Sequence, residues 1–185
     1  MALTESTMLP LGTSAPDFTL PDTGGNLHRL EDFSGKKALV VAFICNHCPY
    51  VIHLKQAFSN FASEVTAKGA AVVAISSNDA DAYPADAPDK MAEDVAEFGY
   101  PFPYLYDQSQ QVARAYDAVC TPDFYVFDGD RKLVYRGQFD GSRPRSGQAP
   151  TGADLRAAVE AVLGGSTPDP DQKPSVGCSI KWKTS

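Results

Sequence analysis

The sequence has no apolar run approaching the roughly 20 residues that a bilayer-spanning helix requires, which excludes a membrane span as the organising element. Basic residues are scarce. Sixteen Lys and Arg against 23 Asp and Glu leave a formal net charge of −7, so the electropositive footprint of a nucleic-acid binder is missing. Four cysteines in 185 residues are too few for a disulfide scaffold, and this length buries a core without such staples. There is no second CxxC and no paired HxxxH, so a four-ligand zinc centre is not expected either. The first twenty residues carry Glu5, no Lys or Arg, and no continuous apolar stretch of the kind found in a secretory leader, which sets a cytoplasmic location as the expectation.

What is present reads as one α/β domain over residues 1–185, with 1–14 as an N-terminal extension and 165–185 as a C-terminal tail. Ala38 to Ile44 and Ala70 to Ile75 are near-continuous apolar runs, the pattern of parallel strands buried on both faces. Between them Val51, Leu54, Phe58, Phe61 and Val65 recur at helical steps up to Gly69, which predicts one helix and a βαβ unit. Asp17 to Leu30 forms two short strand-like pieces around Gly24-Gly25, a hairpin decoration. After a polar stretch from Asn78 to Pro88, Asp89 to Phe98 predicts a short helix with Met91, Val95 and Phe98 on one face. The acidic residues between Asp79 and Glu97 read as a solvated surface. A helix from Asp107 through Tyr116 follows, then strands over Phe124 to Phe127 and Lys132 to Arg136, then a helix from Thr151 to Gly164. This order gives a mixed central sheet flanked by helices, the thioredoxin arrangement, with an N-terminal hairpin, an acidic helical insertion and a C-terminal tail in which Ile180 and Trp182 pack on the body.

The chemistry is expected in Cys45-Asn46-His47-Cys48, which joins the first buried strand to the first helix. A thiolate at a helix N-terminus gains from unpaired amides, and its pKa falls from about 8.5 into the range of about 3.5–7.5. Cys45 is therefore expected to be the attacking thiol, Cys48 the resolving thiol one turn further in, and His47 an electrostatic partner of the thiolate or a solvated side chain. Downstream, Cys120-Thr121-Pro122-Asp123-Phe124 precedes the third core strand. Cys120 is a small buried hydrophobe or a further redox thiol, and Cys178 either docks the tail or, if the tail reaches the Pro122 loop near Cys120, passes oxidation on.

Ala15-Pro16-Asp17-Phe18, the CNHCPY segment, the Cys120–Phe124 loop and Gly177-Cys178-Ser179-Ile180-Lys181-Trp182 together resemble the peroxiredoxin-like branch of the thioredoxin superfamily, the redoxin or AhpC/TSA type, over nearly the whole chain. The resemblance implies a dithiol–disulfide oxidoreductase serving cell redox homeostasis. Thr121 and a cis Pro122 would face the cysteines and present backbone to a peptide substrate. No cofactor is implied. The partners would be a protein or small-molecule disulfide, or a peroxide, with a thioredoxin-type or low-molecular-weight thiol as electron donor. A homo-oligomer stays open.

Two alternatives stand beside this reading. In a thiol peroxidase Cys48 would occupy the peroxidatic position of a PxxxTxxC motif, but Val41 and Cys45 then stand at its Pro and Thr positions, and Thr121-Pro122 lies where the peroxide-binding arginine is expected. The Sco-type copper-delivery proteins use CxxxC and a distal histidine. Here the spacing is CxxC, and the last histidine is His53.

Overall fold

The computed structural model describes residues 3–184. In chain order, strands β1 (Leu3–Glu5), β2 (Thr19–Pro21), β3 (Leu27–Arg29) and β4 (Ala38–Phe43) lead to helices α1 (Pro49–Ile52) and α2 (Lys55–Ala67) and strand β5 (Ala70–Ser76). Helix α3 (Pro88–Phe98), strand β6 (Tyr104–Tyr106), helix α4 (Gln111–Ala115), strands β7 (Cys120–Thr121), β8 (Asp123–Phe127) and β9 (Leu133–Gly137), helix α5 (Ala153–Leu163) and strand β10 (Val176–Ser179) complete it.

The central sheet has the order β6-β5-β4-β8-β9. β4 pairs in parallel with β5, from Ala38 opposite Ala70 to Phe43 opposite Ile75, and antiparallel with β8. All six residues of β4 are buried, as a strand covered on both faces requires. Its side chains alternate between two cores. Val40 and Ala42 join Phe58, Phe61 and Val65 of α2 and Leu155 and Val159 of α5, whereas Leu39, Val41 and Phe43 join Phe18, Val112 and Tyr116. Each fully buried Phe or Leu stabilises the fold by about 1.5–3 kcal/mol, so both layers hold β4 firmly and fix the loop that leaves its end.

Three expectations from the sequence are adjusted. The helix expected through Val51 and Val65 is two helices. Leu54, at φ −115° and ψ 0°, breaks the spiral between α1 and α2, and Lys55 turns inward beyond the break. The helix expected from Asp107 shrinks to α4, because the buried Asp107 carboxylate folds back to accept from the Ala113 N–H and the Ser77 hydroxyl. The last helix begins at Ala153, after Gly152 at φ +69°. There Phe139 packs so closely that a β-carbon would collide with its ring.

The expected N-terminal hairpin is present as β2 and β3. The tail is structured as well: β10 lies between β1 and β7 in a second, three-stranded sheet. Ile180 is buried, and the Trp182 ring stacks 4.5 Å from the Arg114 guanidinium carbon. No described helix is long and apolar enough to cross a membrane.

Candidate active site

The segment Cys45-Asn46-His47-Cys48 emerges where β4 ends, and Pro49 occupies the first turn of α1, where its missing N–H costs nothing. Asp86, fully buried, holds this segment. Its carboxylate accepts from the Asn46 N–H (2.8 Å), the His47 N–H (3.3 Å) and the Asn78 side-chain amide (2.8 Å), and its Oδ2 lies 2.6 Å from His47 Nδ1. Asn46 is tied on every side. Its Nδ2 donates to the Ala85 carbonyl, its Oδ1 accepts from the Tyr104 hydroxyl, and its own carbonyl accepts from Lys55 Nζ at 3.0 Å. Lys55 in turn pairs with Asp94 of α3.

The Thr121–Pro122 peptide is cis and lies against both sulfurs. Cys45 Sγ is 3.5 Å from the Thr121 hydroxyl, and Cys48 Sγ, when protonated, donates to the Thr121 carbonyl at 3.4 Å. All four cysteines are free thiols. Cys45 is 2% exposed and Cys48 fully enclosed. The third sulfur of the cluster is Cys178, whose Sγ lies 2.8 Å from Cys48 Sγ. The tail does reach the Pro122 loop, with Cys178 opposite Thr121 and Ser179 opposite Cys120. Its sulfur, however, meets Cys48. No sulfur lies within hydrogen-bond distance of Cys120 among the described residues, and burial pushes the Cys120 thiol far up.

The helix N-cap falls on Cys48 rather than Cys45. Cys48 is lowered to about 5, chiefly by the hydrogen bond it receives from Cys45 and, against the opposing effect of burial, by those from Cys178 and the Val51 N–H. Cys45 is pushed well up as the donor to Cys48, by burial and by the Asp86 charge. Burial and the Cys48 contact push Cys178 up to about 12. The expectation places the resting thiolate on Cys45, whereas the thiol held low here is Cys48 and Cys45 is the one held high.

A His47 ring nitrogen, Cys45 Sγ and an Asp86 oxygen lie within 4.8 Å of one another. The two Asp86 oxygens together already meet four neighbouring groups, two on each, so a cation there would have to displace bonds that shape the loop. His53 lies apart, bonded to the Ser142 hydroxyl at 3.0 Å.

Four residues that shape the site escaped the sequence reading: Lys55, Asn78, Asp86 and Asp94. Two left a signal. Lys55 interrupts the apolar stripe of α2, and Asp94 lies beside Met91 and Val95 on α3, so two opposite charges sit on faces that should be apolar. Asp86 belongs to the stretch read as solvated, yet it is wholly buried, because it must satisfy the loop amides.

Residues 10–151 match the protein family described as Redoxin. The chain is 30% identical over 142 residues to the thiol-disulfide oxidoreductase ResA of Geobacillus kaustophilus, covering 72% of this chain and 74% of that protein. It is 31% identical over 144 residues to "Putative peroxiredoxin Rv2521" of Mycobacterium tuberculosis, covering 71% of this chain and 87% of the other. Among solved structures, a hypothetical protein from Sinorhizobium meliloti 1021 superposes with a TM-score of 0.97 at 52% identity, over 98% of this chain and 100% of that one. A secreted Mycobacterium tuberculosis disulfide oxidoreductase shares the fold, with a TM-score of 0.61 at 18% identity over 78% and 95% of the two chains.

Proposed function

This chain belongs to the redoxin family and is an oxidoreductase of the thioredoxin fold, and from that premise we propose that Cys45 and Cys48 are a redox dithiol that reduces disulfide substrates, re-reduced by an external thiol. The observation that carries the reading is the seating of both sulfurs against the cis Thr121–Pro122 peptide at the end of β4, Cys45 Sγ 3.5 Å from the Thr121 hydroxyl and Cys48 Sγ 3.4 Å from its carbonyl. The attacking sulfur is Cys45, since Cys48 is enclosed beneath the Thr121 carbonyl and Cys178. Transfer of the Cys45 proton to the Cys48 thiolate frees the Cys45 thiolate. It attacks one sulfur of the substrate, the substrate disulfide breaks, and the other sulfur leaves as a thiolate that takes up the proton from Cys48. The regenerated Cys48 thiolate then attacks Cys45, breaking the mixed disulfide and releasing the second substrate sulfur as a thiolate that takes its proton from water. The substrate gains two electrons, and Cys45–Cys48 becomes the disulfide.

Turnover of oxidised glutathione or insulin disulfides tests this. Cys48→Ser should accumulate the mixed disulfide on Cys45, and Cys45→Ser should lose turnover. Retention of wild-type turnover by Cys45→Ser would overturn the assignment.

A second reading draws on the hydrogen bonds that lower the Cys48 thiol, the sulfur expected to meet a peroxide. It predicts stoichiometric consumption of hydrogen peroxide, with sulfenic acid trapped on Cys48. Disulfide reduction without peroxide consumption excludes it.

A further inference from the structure

The backbone edge beside Pro122, where thioredoxin folds seat a peptide substrate, is already filled by this chain's own strand. β10 runs antiparallel to β7 and is held there from both ends. Gly177 presses so closely on the Thr121 carbonyl that a β-carbon would collide with it. Before the strand, Ser175 and Ser6 exchange backbone and side-chain hydrogen bonds, and the Ser175 hydroxyl donates to the Gly137 carbonyl. After it, the Ile180 N–H donates to the Val119 carbonyl and the Lys181 N–H to Asn78 Oδ1. Asn78 uses its other atom on Asp86, so one side chain ties the tail to the clamp on the dithiol loop.

A strand fixed in this way delivers a sulfur as well as a backbone. Cys178 Sγ sits 2.8 Å from Cys48 Sγ, a small displacement from the ~2.05 Å of a covalent disulfide. The pairing that sets this contact leaves no sulfur within hydrogen-bond distance of Cys120 among the described residues, so the geometry selects one partner.

We propose that Cys178 is a third redox thiol, which takes Cys48 over from the Cys45–Cys48 disulfide and forms a second disulfide, Cys48–Cys178. This rests on the reading of Cys45 and Cys48 as the redox dithiol. The Cys178 sulfur attacks Cys48 Sγ. The Cys45–Cys48 bond breaks as the Cys48–Cys178 bond forms, and Cys45 leaves as a thiolate that takes up the proton lost by Cys178. No electron enters or leaves, so the step needs no further oxidant. Its outcome is an oxidised protein in which Cys45 is again a free thiol.

Tryptic cleavage separates the possibilities, because Cys45 and Cys48 share the peptide 38–55, Cys120 lies in 115–131 and Cys178 in 157–181. The full chain is oxidised with oxidised glutathione, its free thiols are alkylated, and it is digested without reductant. Wild type should yield peptide 38–55 joined to 157–181, beside the internal Cys45–Cys48 disulfide. Cys45→Ser and Cys45→Ala should convert almost entirely to the joined form, and Cys178→Ala should show only the internal disulfide. Gly177→Ala, which pushes β10 off Thr121, should reduce the joined form by about tenfold, the population shift that about 1.4 kcal/mol produces. Oxidised Cys45→Ser that carries glutathione on Cys48 and no joined peptide overturns the proposal. If the internal disulfide still forms and turns over in that case, the dithiol reading survives. If wild type forms neither disulfide, both fall.

Discussion

The His47 ring and the Asp86 carboxylate meet at 2.6 Å, and this contact places a buried anion within reach of the Cys45 sulfur. The Asp86 charge raises Cys45, and the imidazole donor opposes that charge.

His47→Ala and Asp86→Asn should therefore shift the dithiol in opposite directions. Loss of the imidazole leaves the carboxylate unopposed, destabilises the thiolate and so the reduced form, and lowers the reduction potential. Loss of the carboxylate charge raises it. Shifts of about 30 mV correspond to a tenfold change in the exchange equilibrium. Equilibration in glutathione buffers measures both, and displacements of the same sign would refute the electrostatic account.

A pH dependence follows from Cys48. Its folded-state pKa is depressed to about 5 from 9.0, so its contribution to stability is fully present near pH 9 and is lost as the pH falls through 5. Above pH 9 the raised Cys45 acts in the opposite sense. Urea unfolding of the reduced protein should show wild type gaining on Cys48→Ala as the pH rises from 5 to 9. A constant difference would mean that the thiolate is not lodged there.

Asp123 works the other way. It is fully buried at the start of β8, receives the Tyr125 hydroxyl at 2.9 Å, and burial raises its carboxyl to about 7. The stability it contributes is present below about pH 4 and is lost as the pH rises to 7. Asp123→Asn should match wild type near pH 4 and exceed it at pH 8, by at most about 4 kcal/mol. Thermal unfolding at the two pH values checks this, and an equal effect at both contradicts a buried, ionising carboxyl.

Lys55→Met should be costly. It leaves Asp94 without its cation and the Asn46 carbonyl without its donor, for a loss of about 3–5 kcal/mol. The double variant with Asp94→Leu should recover much of that loss, because the apolar pair suits a face lined by Met91 and Phe98. Chemical denaturation gives both values. A loss of under about 1 kcal/mol in the single variant would show that the pair is not desolvated.

The two long apolar strands, the hairpin around Gly24-Gly25 and the CxxC at a strand end were legible because each is a local pattern of period, turn or spacing. The break at Leu54 was not, since the apolar residues keep their helical spacing across it. The cause is a side chain: Lys55 reaches back to Asn46 and across to Asp94. Asp86 was hidden by its neighbours, because an acidic stretch reads as surface until the loop amides that need an acceptor are known. The tail's path to Pro122 could be anticipated from its prolines and its Ile and Trp. The sulfur it meets depends on strand register, and four residues of β10 carry too little pattern to fix that.

The three-stranded sheet of β1, β10 and β7 also sets an order of events as the chain folds. Cys45 and Cys48 come together as soon as the first helical turn forms, because two residues separate them. Cys178 lies 130 positions from Cys48, and only the pairing of β10 with β7 brings it in. Contacts that close so long a loop form late. For most of the folding time the Cys48 sulfur therefore stands uncovered, open to thiols of other nascent or unfolded chains. The interval before β10 docks is the window in which intermolecular cross-linking competes with folding, and closing the sheet ends it.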